Sequence, residues 1–126
     1  MTTRGALSSR SCARVCWVGV TVEHAATERR LLHLSLVPDC RRFVSIEPMV
    51  GPVTLGAYAA CLDHVIVGGE SGPLARPLNL DWVRAVRDEC LRAGVPFMFK
   101  QDSGRKPEHL PLLDGVVHNA LPVVAR

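Results

Sequence analysis

Four short apolar runs are spaced along the chain, and each run ends where charged or amide side chains begin. Valines that alternate with smaller or polar residues predict a first strand over 15–23. The runs over 42–49 and 95–101 predict two further strands, bounded by proline and glycine residues. Between them, the unbroken β-branched run Val65–Val67 predicts a strand that begins at His64 and is covered on both faces.

Helical spacing of apolar residues separates the predicted strands. Segments over about 25–36 and 55–62 predict two helices, and a third, clearer helical pattern ends at Gly94. Asn79 or Asp81 suits the amino-terminal cap of the third helix, because each side chain can accept backbone N–H groups. The order β-α-β-α-β-α-β predicts an α/β protein with four parallel strands and right-handed connections. Two architectures fit this order: part of a (β/α) barrel, or a small doubly wound sheet.

The composition fits one folded domain and narrows the classes of partner. The chain has 126 residues, 48% of them apolar, with a formal net charge of +3 and no basic cluster that would favour nucleic-acid binding. No apolar run has the length of a membrane span, and the first residues lack an apolar signal core, so we expect neither membrane insertion nor secretion. Five scattered cysteines favour free thiols in a reducing cytoplasm over a disulfide framework.

The two ends of the chain differ from its middle in composition. Residues 1–14 are rich in serine, threonine and arginine without periodicity, and we interpret them as a disordered or non-native leader. We assign the α/β domain to 15–115 and a carboxyl-terminal tail to 116–126. Within the tail, Val123 and Val124 favour a short edge strand.

Charged residues stand at the ends of all four predicted strands. Glu23, Glu47 and Glu70 follow or close the first three strands, and Lys100 and Gln101 close the fourth. The carboxyl ends of parallel strands share one edge of the sheet, so we expect these groups to converge there. Such a cluster could shift pKa values for acid–base work, coordinate a cation or hold a charged ligand. The simpler interpretation is that these side chains form ion pairs with one another.

The glycine-rich stretch Gly68–Gly72 could cradle an anion through its backbone N–H groups. It is neither a Walker motif nor G-x-G-x-x-G, and a tight strand-to-loop turn also explains it. Arg76 could grip a carboxylate or phosphate with two hydrogen bonds, or pair with Glu70 or Glu47. The candidate ligand-binding residues are therefore Glu23, Glu47, Gly68, Gly69, Glu70, Ser71, Arg76, Lys100 and Gln101.

Metal-binding motifs are weak in this sequence. Cys12 and Cys16 would open the C-x3-C-x2-C signature of a radical S-adenosylmethionine iron–sulfur site, but the third cysteine position holds Gly19. We interpret this pair as a coincidence, with Cys16 in the core, and expect no metal site. The five histidines show no ligand spacing with one another.

Four motifs resemble a known family in their order and spacing. They are Val18–Glu23, Arg42–Val53, Val65–Pro73 with Ala75–Pro77, and Gly94–Gln101. These stretches are similar to internal motifs of the phage gene-product thirty-seven/sixty-eight family, a domain of unknown function found in phages and bacteria. The resemblance runs from about Trp17 to Gly115. It departs at Asp102, where family members usually carry a tryptophan followed by glycine.

The resemblance implies the carboxyl-terminal part of a TIM-like (β/α) barrel of the radical S-adenosylmethionine type. In complete relatives, an amino-terminal cysteine-rich segment would hold an iron–sulfur cluster that cleaves S-adenosylmethionine reductively. Because this chain resembles only the carboxyl-terminal half, both cofactors are implied for complete relatives and none is expected in this chain. The residues that would shape the pocket around cofactor and substrate are Glu23, Glu47, Glu70, Arg76, Lys100 and Gln101. We therefore expect the chain to be catalytically silent alone.

Three hypotheses about function stay open at this point. In the first, the chain is a truncated fragment of a barrel enzyme that acts on an unknown small-molecule or nucleic-acid-derived substrate. In the second, it is a binding module that has lost its chemistry and keeps an anion- or cation-binding edge. In the third, it is a subunit that completes its barrel with a partner chain, because a four-strand sheet leaves open edges for self-association.

Overall fold

The computed structural model describes residues 16–123, and their main element is a four-stranded parallel sheet. The strands, which lie side by side in sequence order, are β1 (Cys16–Thr21), β2 (Cys40–Ile46), β3 (His64–Gly68) and β4 (Phe97–Gln101). The prediction of an α/β protein with four parallel strands is confirmed. Within the described residues the sheet is open and does not close into a barrel. The predicted leader 1–14, with Cys12, lies outside these residues, as do Val15 and Val124.

Two α-helices and two 3₁₀ helices connect the strands. A 3₁₀ helix (Ala25–Thr27) and α1 (Arg29–Ser35) follow β1, a second 3₁₀ helix (Gly56–Cys61) follows β2, and α2 (Leu80–Ala93) follows β3. The strands follow one another in order, and crossovers between parallel strands are right-handed as a rule, so the helices share one face of the sheet. Both α1 and α2 contact the second 3₁₀ helix within this layer. None of the helices in 16–123 combines the length and the apolarity needed to cross a membrane.

The helix predicted over 25–36 is divided in the structure. His24 Nδ1 accepts the Ala26 amide at 3.1 Å, and the Thr27 hydroxyl donates to the His24 carbonyl at 3.0 Å. These local bonds compete with the α-helical pattern, so the first turn is a 3₁₀ helix and α1 begins after it. The helix predicted over 55–62 is likewise a 3₁₀ helix.

The ends of α2 are those that its sequence predicts. Asn79 Oδ1 accepts the Asp81 amide at 2.9 Å, which satisfies one of the free N–H groups of the first turn. Gly94 ends the helix in the left-handed conformation, with a φ of 71°. The inner side of α2 is fully buried against the sheet, so this helix forms the largest part of the covering layer.

The two faces of the sheet have different surroundings. The face under the helices carries the fully buried residues Val44, Ile46, Val65, Val67 and Phe99. The opposite face, which we name the open face, carries the partly exposed Phe43, Ser45, Ile66 and Met98. The prediction that Val65–Val67 is covered on both faces is therefore wrong at Ile66. Sequential parallel strands place every crossover on one side, and no helix of the described chain covers the other.

The segment after β4 packs back on the sheet. β5 (Leu112–Leu113) and β6 (Val116–Val117) form an antiparallel hairpin, and the boundary predicted after residue 115 falls within it. Beyond the hairpin, the chain runs antiparallel to β4, and the Phe99 amide donates to the His118 carbonyl at 2.9 Å. The edge strand predicted at Val123 is not formed, because the residues that pair with β4 lie before it.

Candidate functional site

All four strands end at one edge of the sheet, which we name the carboxyl edge. A cavity of about 260 Å³ opens there. Its lining residues are Glu47, Pro48, Gly69, Glu70, Ser71 and Gln101. Five of the nine predicted ligand-binding residues thus share one cavity, because parallel pairing brings the loops that follow β2 and β3 beside the end of β4.

The Glu47 carboxylate crosses over β3 towards β4. Glu47 Oε1 lies 3.4 Å from Lys100 Nζ, although β3 separates β2, which Glu47 follows, from β4, which contains Lys100. Gly68 stands at the crossing point, where a Cβ atom would lie 2.8 Å from Glu47 Cδ. The absence of a side chain at Gly68 therefore lets the carboxylate hold this position.

An irregularity in the sheet sets the direction of the Lys100 side chain. Val67 is the register partner of Phe99, but Gly68 is the partner of Gln101, so Lys100 is an extra residue in β4. Such a bulge redirects the side chain that it inserts. The Lys100 side chain is 44% exposed, and its ammonium group therefore stays accessible from solvent while it contacts Glu47.

Glu70 and Arg76 form a two-pronged ion pair in the loop after β3. Arg76 Nε donates to Glu70 Oε1 at 2.8 Å, and Arg76 Nη2 donates to Glu70 Oε2 at 3.0 Å. The Arg76 backbone N–H also donates to Oε1. The side-chain hydrogen bonds from Arg76, followed by this backbone bond, lower the pKa of the Glu70 carboxyl from 4.5 to about 2. Arg76 thus adopts the ion-pairing role that was one of its two predicted roles.

The segment after β4 supports the loop from behind. The Gly104 amide donates to the Glu70 carbonyl at 3.0 Å, and the Gly72 amide donates to the Gly104 carbonyl at 3.1 Å. Gly69 packs against the same segment, since a Cβ atom there would lie 2.7 Å from the Ser103 nitrogen. The loop is therefore positioned by backbone contacts to this segment as well as by its own Glu70–Arg76 pair.

Gln101 fixes the end of β4 to the start of the loop. The Gly69 amide donates to the Gln101 carbonyl at 3.0 Å, and Gln101 Nε2 donates to the Gly69 carbonyl at 2.9 Å. These two bonds hold the side-chain amide of Gln101 at the wall of the cavity. A neutral donor and acceptor group thus lies beside the two carboxylates.

Glu23 has different surroundings from the other two glutamates. Its Oε1 accepts from Arg30 Nη1 at 3.3 Å and lies 3.4 Å from the Thr27 hydroxyl oxygen. Both partners belong to the helical segment after β1, so this carboxylate faces the helices and does not line the cavity. Of the three carboxylates expected to converge, the structure brings Glu47 and Glu70 together and leaves Glu23 apart.

Each of the three glutamates is paired with one cation. The pairs are Glu23 with Arg30, Glu47 with Lys100, and Glu70 with Arg76. The carboxyl edge therefore carries no excess of either charge among these groups. Such an edge suits a ligand that carries both charges, or neutral polar groups, better than it suits a polyanion.

Three residues of this region escaped prediction. Pro48 lines the cavity directly after a cis peptide bond with Glu47, while Ser103 and Gly104 support the loop. The polar sequence Asp102-Ser103-Gly104 follows the fourth strand, as polar residues follow the other strands. This pattern could have indicated Ser103 and Gly104.

The cysteines of the described chain do not form a metal centre. Cys16 is exposed at the start of β1, so its predicted place in the core is wrong. Cys90 lies on the buried side of α2, and burial raises the pKa of its thiol to about 12. Over residues 16–123, no group of three or more His, Cys, Asp and Glu side chains could hold a metal ion.

A family model described as "Protein of unknown function (DUF5131)" matches residues 2–122. The match covers the four strands, the carboxyl edge and the residues that precede β1. Neither a curated protein nor a solved structure matches this chain.

The two adjacent glycines at the end of β3 should respond differently to the same substitution. In Gly69→Ala the new Cβ meets backbone atoms of Asp102 and Ser103, so we expect the free energy of unfolding to fall by about 1–3 kcal/mol. In Gly68→Ala it meets only the movable end of Glu47, so the loss should stay below about 1 kcal/mol. Urea unfolding of both variants measures the difference, and equal losses would contradict this geometry.

The ion pair with Arg76 should keep Glu70 ionised in acid. Because its pKa in the folded chain is lowered from 4.5 to about 2, the stabilisation from this pair is present above pH 4.5 and is lost as the pH falls towards 2. A carbon NMR titration of the Glu70 carboxyl should therefore show its midpoint near pH 2. The midpoint should return towards 4.5 in Arg76→Ala and stay unchanged in Arg84→Ala, whose guanidinium pairs with Asp81 and Asp114. A midpoint near 4.5 in the wild-type chain contradicts the pairing.

Proposed function

The chain belongs to the DUF5131 family of proteins of unknown function, and we propose that it binds a small polar ligand at the carboxyl edge of its sheet. We further propose that it corresponds to the carboxyl-terminal part of a phage-type radical S-adenosylmethionine barrel enzyme and is catalytically silent alone. The observation that carries the binding proposal is the cavity, in which two carboxylates, a hydroxyl and an amide meet at the common end of parallel strands.

The strand order supports the barrel part of the proposal. In a (β/α) barrel, successive parallel strands are neighbours and all helices lie on the outside. A doubly wound sheet instead reverses its strand order and carries helices on both faces. The order β1-β2-β3-β4, with helices on one face only, has the first arrangement. The open face would then correspond to the inner side of the barrel.

The size and charge of the cavity favour one end of a zwitterionic ligand. Its volume of about 260 Å³ lies below the range of roughly 300–1,000 Å³ that is usual for whole small-molecule sites. The amino-acid end of S-adenosylmethionine has an ammonium that would suit the carboxylates of Glu47 and Glu70. The ammonium of Lys100 and the hydroxyl of Ser71 would suit its carboxylate. When bound, this molecule supplies a sulfonium centre that is susceptible to cleavage.

The iron–sulfur cluster implied by the resemblance does not fit the described part of the chain. Such a cluster takes thiolate ligands from several cysteines at one place. Residues 16–123 contain no group of three candidate ligands, and the raised pKa of Cys90 keeps its thiol protonated. We therefore assign no step to a cluster. The role proposed for these residues is to bind and orient a ligand.

S-adenosylmethionine alone is the probe for this proposal. We expect it to shift the amide NMR signals of Gly69, Ser71 and Gln101, which surround the cavity. Glu70→Gln should weaken this binding about tenfold, the effect of losing roughly 1.4 kcal/mol in a charge-assisted hydrogen bond. The melting temperature of that variant should fall less than the loss of the whole pair would imply, because the pair faces solvent and the glutamine side chain keeps a hydrogen-bond acceptor for Arg76.

Asp88→Asn is the matched control for this experiment. It neutralises a carboxylate that pairs with Arg87 on α2, away from the cavity, and should bind the probe as the wild-type chain does. Absence of any shift at the three amides would refute the binding site. A large fall in the melting temperature of Glu70→Gln would show instead that the ion pair serves mainly to stabilise the fold.

The open face favours a second candidate function, a subunit that covers this face with another copy of the chain. Trp17 is 41% exposed on this face, and a cavity of about 230 Å³ there is lined by apolar side chains that include Phe43 and Ile66. Apolar surface left on one side of a sheet is usually covered by a partner.

The oligomeric state tests this second candidate. If the open face is an interface between copies, the wild-type chain should sediment as a dimer, and Ile66→Glu should make it sediment as a monomer. Leu91→Glu, which changes an exposed residue of α2 on the other side of the sheet, should leave the dimer intact. A wild-type chain that sediments as a monomer at all concentrations would exclude this candidate.

A further inference from the structure

Two cysteines are neighbours at the amino edge of the sheet, the edge opposite the candidate site. Cys16 and Cys40 are the first residues of β1 and β2, and they are partners in the register of this parallel pair. Neighbouring strands lie about 4.8 Å apart, which is within the range of roughly 4.4–6.8 Å for the Cα atoms of a disulfide. In-register residues of parallel strands also project to the same face.

The surroundings of the two thiols differ, and the difference assigns their roles. Cys16 is exposed to solvent, whereas Cys40 is half-buried and its Sγ lies 3.6 Å from the Val37 carbonyl. Arg42 donates to the carbonyls of Leu34 and Val37, so the turn beside Cys40 is anchored to β2. Cys16 is thus the thiol that a reagent in solution meets first. Cys40 is held in place next to it.

We propose that Cys16 and Cys40 form a reversible intrachain disulfide by exchange with a small disulfide such as oxidised glutathione. The Cys16 thiolate attacks one sulfur of the small disulfide, forms a mixed disulfide and releases one small thiolate. The Cys40 thiolate then attacks the Cys16 sulfur and releases the second. Two cysteines are oxidised, one small disulfide is reduced to two thiols, and the protons of the cysteines pass to the released groups.

The parallel register makes this disulfide easy to reduce. The Cβ atoms of an in-register pair are separated by about the strand spacing of 4.8 Å, whereas disulfides place them about 3.8 Å apart. The bond must therefore draw the first residues of β1 and β2 together, and strained disulfides are more readily reduced than structural ones. The pair thus serves as a switch that follows the redox state of its surroundings.

Peptide mapping can identify the bond, because trypsin places every cysteine in a different peptide. Cys16 falls in peptide 15–29 and Cys40 in peptide 31–41, while Cys12, Cys61 and Cys90 fall in three others. The full chain is equilibrated under native conditions with reduced and oxidised glutathione at a series of ratios. It is then alkylated, digested and analysed by mass spectrometry. We expect peptide 15–29 to be joined to peptide 31–41, with a mass two hydrogen atoms below the sum of the two peptides. As the share of reduced glutathione rises, both cysteines should return to free thiols at ratios at which structural disulfides stay oxidised.

Cys61→Ser is the matched control, because it removes an exposed thiol in the second 3₁₀ helix and should not change the linked peptides. Cys16→Ser should abolish the link. Each of four results would overturn the proposal. Cys16 and Cys40 stay free and are alkylated at every ratio, only glutathione adducts form, Cys16 joins a cysteine other than Cys40, or the link joins two chains. Because the decisive measurement is made on the wild-type chain, it does not depend on the folding of a variant.

Discussion

The meeting of Glu47 and Lys100 above Gly68 is the constraint on which the candidate site depends. Two charged side chains from β2 and β4 come together only because the strand between them has no side chain at that point. The bulge that inserts Lys100 into β4 supplies the other half of the contact. A sheet of regular strands with ordinary residues would hold these charges in separate rows. The carboxyl edge is therefore a product of two local exceptions to regular β structure.

The stability of the fold and the polarity of the site come from different sides of the sheet. Fully burying a valine, leucine or phenylalanine contributes roughly 1.5–3 kcal/mol, and the helix-covered face has many such residues. A partly exposed ion pair contributes about 0–1 kcal/mol. The apolar core under α1 and α2 thus contributes far more to the stability of the fold than the ion pairs at the carboxyl edge do. The polar groups at the edge are free to be selected for what they bind.

The sequence predicts the repeating pattern well and the tertiary exceptions poorly. Valine-rich runs, the Asn79 cap and the Gly94 end are local signals, so four parallel strands and α2 could be inferred from them. The side chain of Ile66 is apolar whether or not a layer covers it, so its burial could not be inferred. Whether a glutamate points to the cavity or to a helix depends on partners distant in sequence. For Glu47 that partner is Lys100, and for Glu23 it is a local arginine in α1.

The pairing of the carboxyl-terminal segment with β4 has a consequence for assembly. The bridge between Met98 and Asn119 and the bond from the Ala120 amide to the Phe97 carbonyl occupy hydrogen-bonding groups on the outer side of β4. Among the described residues, β1 is then the strand whose outer side stays unpaired. Fibril growth by strand addition needs two such sides on every molecule. Addition at β1 alone would stop at a pair of chains, so this short segment protects the sheet against polymerisation.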